Sequence, residues 1–229
     1  MFKKILLYYK KFIKNILKLS YETINNRNAE LNKFLRSLII PVTFVVLLWA
    51  IHFSQTIFNL PFAHYGILPR KLSGLVGILS APLVHANYSH LISNTPTLLI
   101  LSVAVMYFYP TLSLKALTSI YFLTNIFVWL FARQVYHVGA SGIIYGLLGF
   151  LFFSGVFRRD NRSIALSLLV TFIYGGLIWG ILPGLKGISW ESHLFGGISG
   201  VIVSFVFRKD DPYIRYEWEE EEETEGDES

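Results

Sequence analysis

Apolar residues run through this chain in long blocks, interrupted by short breaks rich in charge, glycine or proline. A helix crossing hydrocarbon needs about 20 mostly apolar residues. Six stretches qualify as candidates: Ser37–Phe58, His90–Tyr109, Leu112–Ala132, Ser141–Phe157, Ser163–Leu182 and Ser192–Phe207. Between them lie Tyr109-Pro110, the run Arg133 to Gly139, Arg158-Arg159-Asp160-Asn161 and Pro183-Gly184, all suited to turns. The fourth stretch is short for a crossing. Residues 59–89 are too polar and too often broken by Pro and Gly to span, and the apolar run Leu75 to Val84 inside them is too short. The pattern therefore predicts an all-α membrane protein, a bundle of six transmembrane helices with a long loop after the first.

The two ends read differently. From Met1 to Ser20, Phe2, Ile5, Leu6, Tyr9, Phe12, Ile13, Ile16 and Leu17 recur at helical spacing, with Lys3, Lys4, Lys10, Lys11, Lys14 and Lys18 between them. Such a basic amphipathic helix suits an anionic membrane surface, or the face of a partner protein. Lysines interrupt any secretory h-region, so a signal peptide is not expected. Glu217 to Ser229 is nearly all acidic and predicts a disordered tail. The organisation expected is a basic segment over 1–36, a membrane domain over 37–209 and an acidic tail over 210–229.

Composition sharpens this picture. Of 229 residues, 53% are hydrophobic and only 15% charged, against about 25% charged in soluble domains. The net charge of +5 follows membrane topology and does not point to nucleic acid. With a cytoplasmic N-terminus and six helices, sixteen Lys and Arg fall on the cytoplasmic side. Arg70, Lys71, Arg133 and Lys186 are left outside. That bias predicts an N-in, C-in orientation, with the long loop and the starts of the second, fourth and sixth helices external. The abundance of Ile, Lys, Asn and Phe suggests an AT-rich genome and a bacterial cytoplasmic membrane.

Several chemistries are excluded. There is no cysteine, hence no disulfide or thiolate. No Asp, Glu, Lys or Arg lies well inside a span, unlike ion-coupled pumps, and neither an aspartyl dyad nor a His-Glu-x-x-His zinc helix is present. No cofactor or metal is expected.

The polar residues that remain gather at the external helix starts. Gly139-Ala140-Ser141-Gly142 enters the fourth helix, where free backbone N–H groups and the positive dipole end favour an oxyanion beside Ser141. Read alone, the motif is equally a small-residue packing face. His193 opens the sixth helix and shares a stripe with Gly196 and Gly200. Gly142, Gly146 and Gly149 form a matching small face, and contact between the two would bring His193 to Ser141 as a base. Tyr145, one turn after Ser141, could fix the imidazole or be a core tyrosine. His90 and Asn94 share a face of the second helix as neutral donors, either to an oxyanion or between helices. Glu191 is two residues from His193 and on the wrong face to complete a triad. His137 is a second candidate base, His52 faces the bundle, and His64 is a loop histidine.

At these residues the chain resembles the rhomboid family of intramembrane serine proteases. The match consists of Gly139-Ala140-Ser141-Gly142 with Tyr145, His193-x-x-Gly196-x-x-x-Gly200, and His85-x-x-x-x-His90-x-x-x-Asn94. It covers residues 38–207 and implies the basic six-helix form. The resemblance implies Ser141 as nucleophile and His193 as general base and acid. It also implies His90, Asn94 and the Ser141 N–H as oxyanion donors, Tyr145 stacked on His193, and His85 as a structural loop histidine. Its substrates would be transmembrane proteins whose helices unwind locally at the cleaved bond. Many family members carry a Trp-Arg pair in the first loop, about fourteen residues before the oxyanion histidine; this chain has Val76-Gly77 there. A homologue that binds transmembrane segments without cutting them, and a small-solute transporter, are the competing expectations. Labelling of Ser141 and vesicle uptake discriminate between them.

Overall fold

The computed structural model describes residues 2–184 and 189–213. These residues form an all-helical architecture. Among these residues seven α-helices follow in order: α1 (Phe2–Ile57), α2 (Gly77–Ser80), α3 (Tyr88–Phe108), α4 (Ser113–Phe131), α5 (Ser141–Arg158), α6 (Asn161–Tyr174) and α7 (Trp190–Val206). Short 3-10 segments sit at Phe62–Tyr65, Leu72–Gly74, Ala81–Leu83 and Gly175–Ile181. By length and composition five helices among the described residues can cross a membrane: part of α1, α3, α4, α5, and α6 with the 3-10 segment that continues it. The chain is thus a multi-pass membrane protein. α7 has 17 residues and packs against α5 and α4.

The boundaries of α3, α4 and α5 fall within two residues of those expected from the sequence. Two elements differ. The first is α1, a single unbroken helix of 56 residues, about 84 Å long at 1.5 Å per residue. It joins the helix expected over the first twenty residues to the stretch expected from Ser37 without interruption. The physical reason is that Tyr21 to Arg36 contains neither Gly nor Pro, so nothing stops propagation. The basic face expected before residue 20 lies largely outside the described side chains, as does the acidic tail. The second difference is the fifth stretch, expected as one helix to Leu182. The α-helix stops at Tyr174, where Gly175-Gly176 lowers helix propensity, and the chain tightens into the 3-10 segment Gly175–Ile181.

α5 is the centre of the bundle. Of its apolar window 61% is buried, against 17% for those of α1 and α6. Its core residues Ile143, Leu147, Phe150 and Leu151 share one buried cluster with Leu98, Leu101, Ile120 and Val203. Outward positions such as Leu168 and Phe172 are 65% and 90% exposed, as expected where lipid is the solvent.

Glycine makes the α5–α7 contact unusually close. A Cβ added at Gly196 would lie 2.0 Å from the Gly142 carbonyl oxygen, and one at Gly200 would lie 2.1 Å from that of Gly146. The two small-residue faces therefore meet backbone to backbone, the arrangement small residues permit inside membranes.

The long segment before α3 is tied down by polar groups. Ile67 and His137 exchange both backbone hydrogen bonds at 2.9 Å, pinning the segment to the run before α5. The Arg70 guanidinium donates to the carbonyls of Leu130 and Ala132, and the Trp129 indole N–H donates to Lys71 O. Asn125 donates to Ile78 O, and the Tyr121 hydroxyl to Leu79 O. The Val76-Gly77 departure has a steric basis: a Cβ at Gly77 would sit 2.4 Å from the Gly66 backbone. No side chain fits there without moving the loop.

At the opposite end, the last turns of α3, α5 and α7 converge. Arg158 donates to Asp210 O (2.6 Å) and Phe207 O (2.7 Å), and Arg162 to Phe108 O (2.7 Å). Both guanidiniums lie over the Tyr109 ring, and the Tyr109 hydroxyl donates to Ser163 Oγ. Asp160 caps α6 by accepting from Ser163 N–H, a contact of the kind that anchors helix starts.

Candidate active site

α3, α5 and α7 all begin at the same end of the bundle, around a cavity of about 780 Å3. His90, Asn94, Ser141, Tyr145 and His193 line it. Ser141 is the first residue of α5, so its backbone N–H has no carbonyl partner within the helix. The turn before it depends on Gly139, which adopts φ +107 and would carry a Cβ only 2.5 Å from the His90 ring. Glycine there gives both the backbone conformation and room for the imidazole.

His193 lies in the first turn of α7. Its Nε2 is 2.9 Å from Ser141 Oγ, and its Nδ1 is 2.9 Å from the Gly180 carbonyl oxygen. The Tyr145 ring stacks flat on the imidazole, with centroids 4.1 Å apart and planes within 8°. The Tyr145 hydroxyl donates to Leu177 O at 2.7 Å. Ser141 and His193 are both 8% exposed, so their contact is shielded from bulk solvent while still facing the cavity.

His85 supports the site from behind. Its Nε2 faces two donors, the Asn94 side-chain amide at 3.2 Å and, more distantly, the Ala140 N–H at 3.5 Å. That ring nitrogen must therefore carry the lone pair. Burial, with the neighbouring His90 and His52 acting in the same sense, holds the His85 pKa down to about 4, so the ring is neutral at pH 7. The Asn94 amide keeps a second N–H besides the one facing His85. His85 thus fixes which way the Asn94 amide points, an orientation the sequence alone does not give.

The remaining histidines lie elsewhere. His137 is buried beside the cavity, its Nδ1 2.5 Å from Ser189 Oγ and its Nε2 3.0 Å from Arg133 O. It is engaged away from Ser141, and burial lowers its pKa. Glu191 pairs with Arg133 at 3.0 Å, not with His193. His52 is buried edge-on to Tyr88, and His64 is exposed beside Tyr136. Among the described residues no cluster of His, Asp or Glu could hold a metal.

Sequence reasoning did not single out Gly180, Ser189 or the Arg133–Glu191 pair. Ser189 has a recognisable signal, since it precedes α7 and accepts from the Ser192 N–H as its cap.

Comparison with known proteins bears on the whole bundle. Residues 72–210 match the model of the Rhomboid domain. An uncharacterized protein of Mycobacterium tuberculosis is 35% identical over 174 residues, 72% of each chain. One of Mycobacterium leprae is 32% identical over 182 residues, 72% of this chain and 69% of that one. RHOMBOID-like protein 4 of Arabidopsis thaliana is 30% identical over 134 residues, 56% of this chain and 33% of that protein. The matched domain spans more than half of the chain and holds every residue that lines the cavity, and on that ground the chain belongs to the rhomboid family.

Proposed function

We propose that this protein is an intramembrane serine endopeptidase that cleaves peptide bonds in or near transmembrane segments of other membrane proteins. The observation that carries the proposal is the 2.9 Å contact between Ser141 Oγ and His193 Nε2 at the start of α5, inside a cavity. Family membership supports it.

In this reading Ser141 Oγ attacks the scissile carbonyl while His193 Nε2 takes its proton. The same proton passes to the leaving amine as the C–N bond breaks. Water then attacks the acyl-enzyme, with His193 taking its proton and returning it to Ser141 Oγ. Charge on the carbonyl oxygen is met by the Ser141 N–H, His90 and the free Asn94 N–H, an electrostatic contribution that grows in the transition state. Tyr145 holds the imidazole plane. Hydrolysis needs water, which hydrocarbon lacks, so a cavity open at one membrane face suits the chemistry.

The proposed topology has six crossings, counting α7, with the N- and C-termini cytoplasmic and the cavity external. The bias of Lys and Arg supports that orientation, and the mycobacterial relatives support a bacterial membrane. Substrates enter with residues that weaken their helices, because a regular helix keeps its carbonyls bonded.

Reconstitution in liposomes with a tagged transmembrane substrate tests the proposal. Wild type is expected to give two fragments and Ser141→Ala none. Binding of the substrate by folded wild type without cleavage would instead favour a protein that only captures transmembrane segments.

A further inference from the structure

The proposed dyad lacks a carboxylate behind its histidine, yet the imidazole is not unsupported. His193 Nδ1 faces the Gly180 carbonyl at 2.9 Å. A carbonyl oxygen can only accept, so in the neutral ring the proton sits on Nδ1. Nε2 then carries the lone pair that faces Ser141 Oγ. That is the tautomer a general base needs. We infer that the Gly180 carbonyl is the orienting partner of His193, and that the 3-10 segment Gly175–Ile181 is the element that sets the base. This rests on the Ser141–His193 protease reading.

Three features of the segment fit this role. First, a 3-10 helix has 3.0 residues per turn, so groups three apart eclipse on one face. Leu177 and Gly180 are three apart: the first carbonyl takes the Tyr145 hydroxyl and the second takes His193. One face of the segment therefore holds both members of the stacked pair. An α-helix would turn the two carbonyls about 60° apart. Second, the natural acceptor duty of Gly180 O in a 3-10 helix is to the N–H three residues on. That residue is Pro183, which has no N–H, so the carbonyl is left for the imidazole. Third, only glycine fits at position 180. A Cβ there would lie 1.9 Å from the Tyr145 hydroxyl oxygen and 3.2 Å from His193 Nδ1.

The test is Gly180→Ala in the full-length protein, beside Gly197→Ala in α7, whose Cβ would meet nothing within 4 Å. Gly180→Ala is expected to lower kcat by about 10²-fold with KM changed less than threefold, while Gly197→Ala stays near wild type. Gly180→Ala combined with Tyr145→Phe removes the colliding hydroxyl but keeps the ring, and is expected to recover at least tenfold over Gly180→Ala. In 15N spectra of histidine-labelled protein, the His193 signals of wild type are expected to show the Nδ1–H tautomer, and those of Gly180→Ala a mixture. Unchanged kcat and unchanged His193 signals in folded Gly180→Ala would overturn the inference and leave the protease reading intact. Failure of wild type itself to cleave would count against that reading instead. If Gly180→Ala does not fold, the wild-type tautomer decides alone: Nε2–H would overturn the inference.

Discussion

Replacing Gly196 by alanine probes whether the closeness of α5 and α7 is what brings Ser141 to His193. The new Cβ would lie 2.0 Å from the Gly142 carbonyl oxygen and 2.9 Å from its carbon. Both are backbone atoms of α5, so no side chain can swing aside. Real Cβ atoms essentially never approach closer than 3.0 Å, so the helices must separate by about 1 Å to reach even a tight contact. Gly142 follows Ser141 directly and Gly196 is one turn from His193, so the separation falls on the proposed dyad itself. It stretches the 2.9 Å contact beyond hydrogen-bonding range. A misplacement of that size costs about 10²-fold in rate, and overpacking costs about 1–3 kcal/mol in stability. Gly197→Ala is the internal control, because its Cβ would meet nothing within 4 Å. Initial cleavage rates in liposomes and thermal unfolding in detergent measure the two effects. A Gly196→Ala protein that matches Gly197→Ala in both would show that this close approach does not hold Ser141 against His193.

Three further outcomes are expected. Asn94→Ala should lower kcat by about 10²-fold while fluorophosphonate still labels Ser141, separating an oxyanion donor from the nucleophile. His85 has a folded-state pKa of about 4 against an ordinary 6.5; the unfolded chain therefore binds more protons between those values, and stability is full above about 6.5 and declines as pH falls toward 4, by about 3 kcal/mol in all. Unfolding followed across that range should show the decline in wild type and a smaller one in His85→Gln; equal slopes would remove the assignment. Arg158→Ala takes away donors to the Asp210 and Phe207 carbonyls at the end far from the cavity. It should cost about 3 kcal/mol in unfolding experiments, while kcat of the folded fraction stays within a few-fold of wild type.

Much of the bundle is legible in the sequence because membrane helices obey a strong constraint: every backbone group must be satisfied internally. Apolar length alone therefore locates α3, α4 and α5 closely. The small-residue stripes were legible too, since Gly142, Gly146, Gly196 and Gly200 follow helical spacing. What length and spacing cannot carry is the conformation of short segments. The end of the α6 stretch reads as more apolar helix, and only Gly175-Gly176 and Pro183 hint that it tightens into a 3-10 turn. The ligation of His193 by a backbone carbonyl leaves no side-chain signature at all. The loop before α3 is similar: Arg70 acts through carbonyls of the α4 end some sixty residues away, a pairing without local periodicity. The continuity of α1 is not legible in composition, which changes near residue 20, whereas a helix breaks only where backbone chemistry breaks it.

The most direct measurement of the central claim is to expose detergent-solubilised protein to a fluorophosphonate and locate the adduct by mass spectrometry. A Ser141–His193 dyad predicts a single adduct on Ser141, lost in Ser141→Ala and reduced at least 10²-fold in His193→Ala. An adduct on another serine, or labelling of Ser141 that is unaffected by His193→Ala, would contradict it.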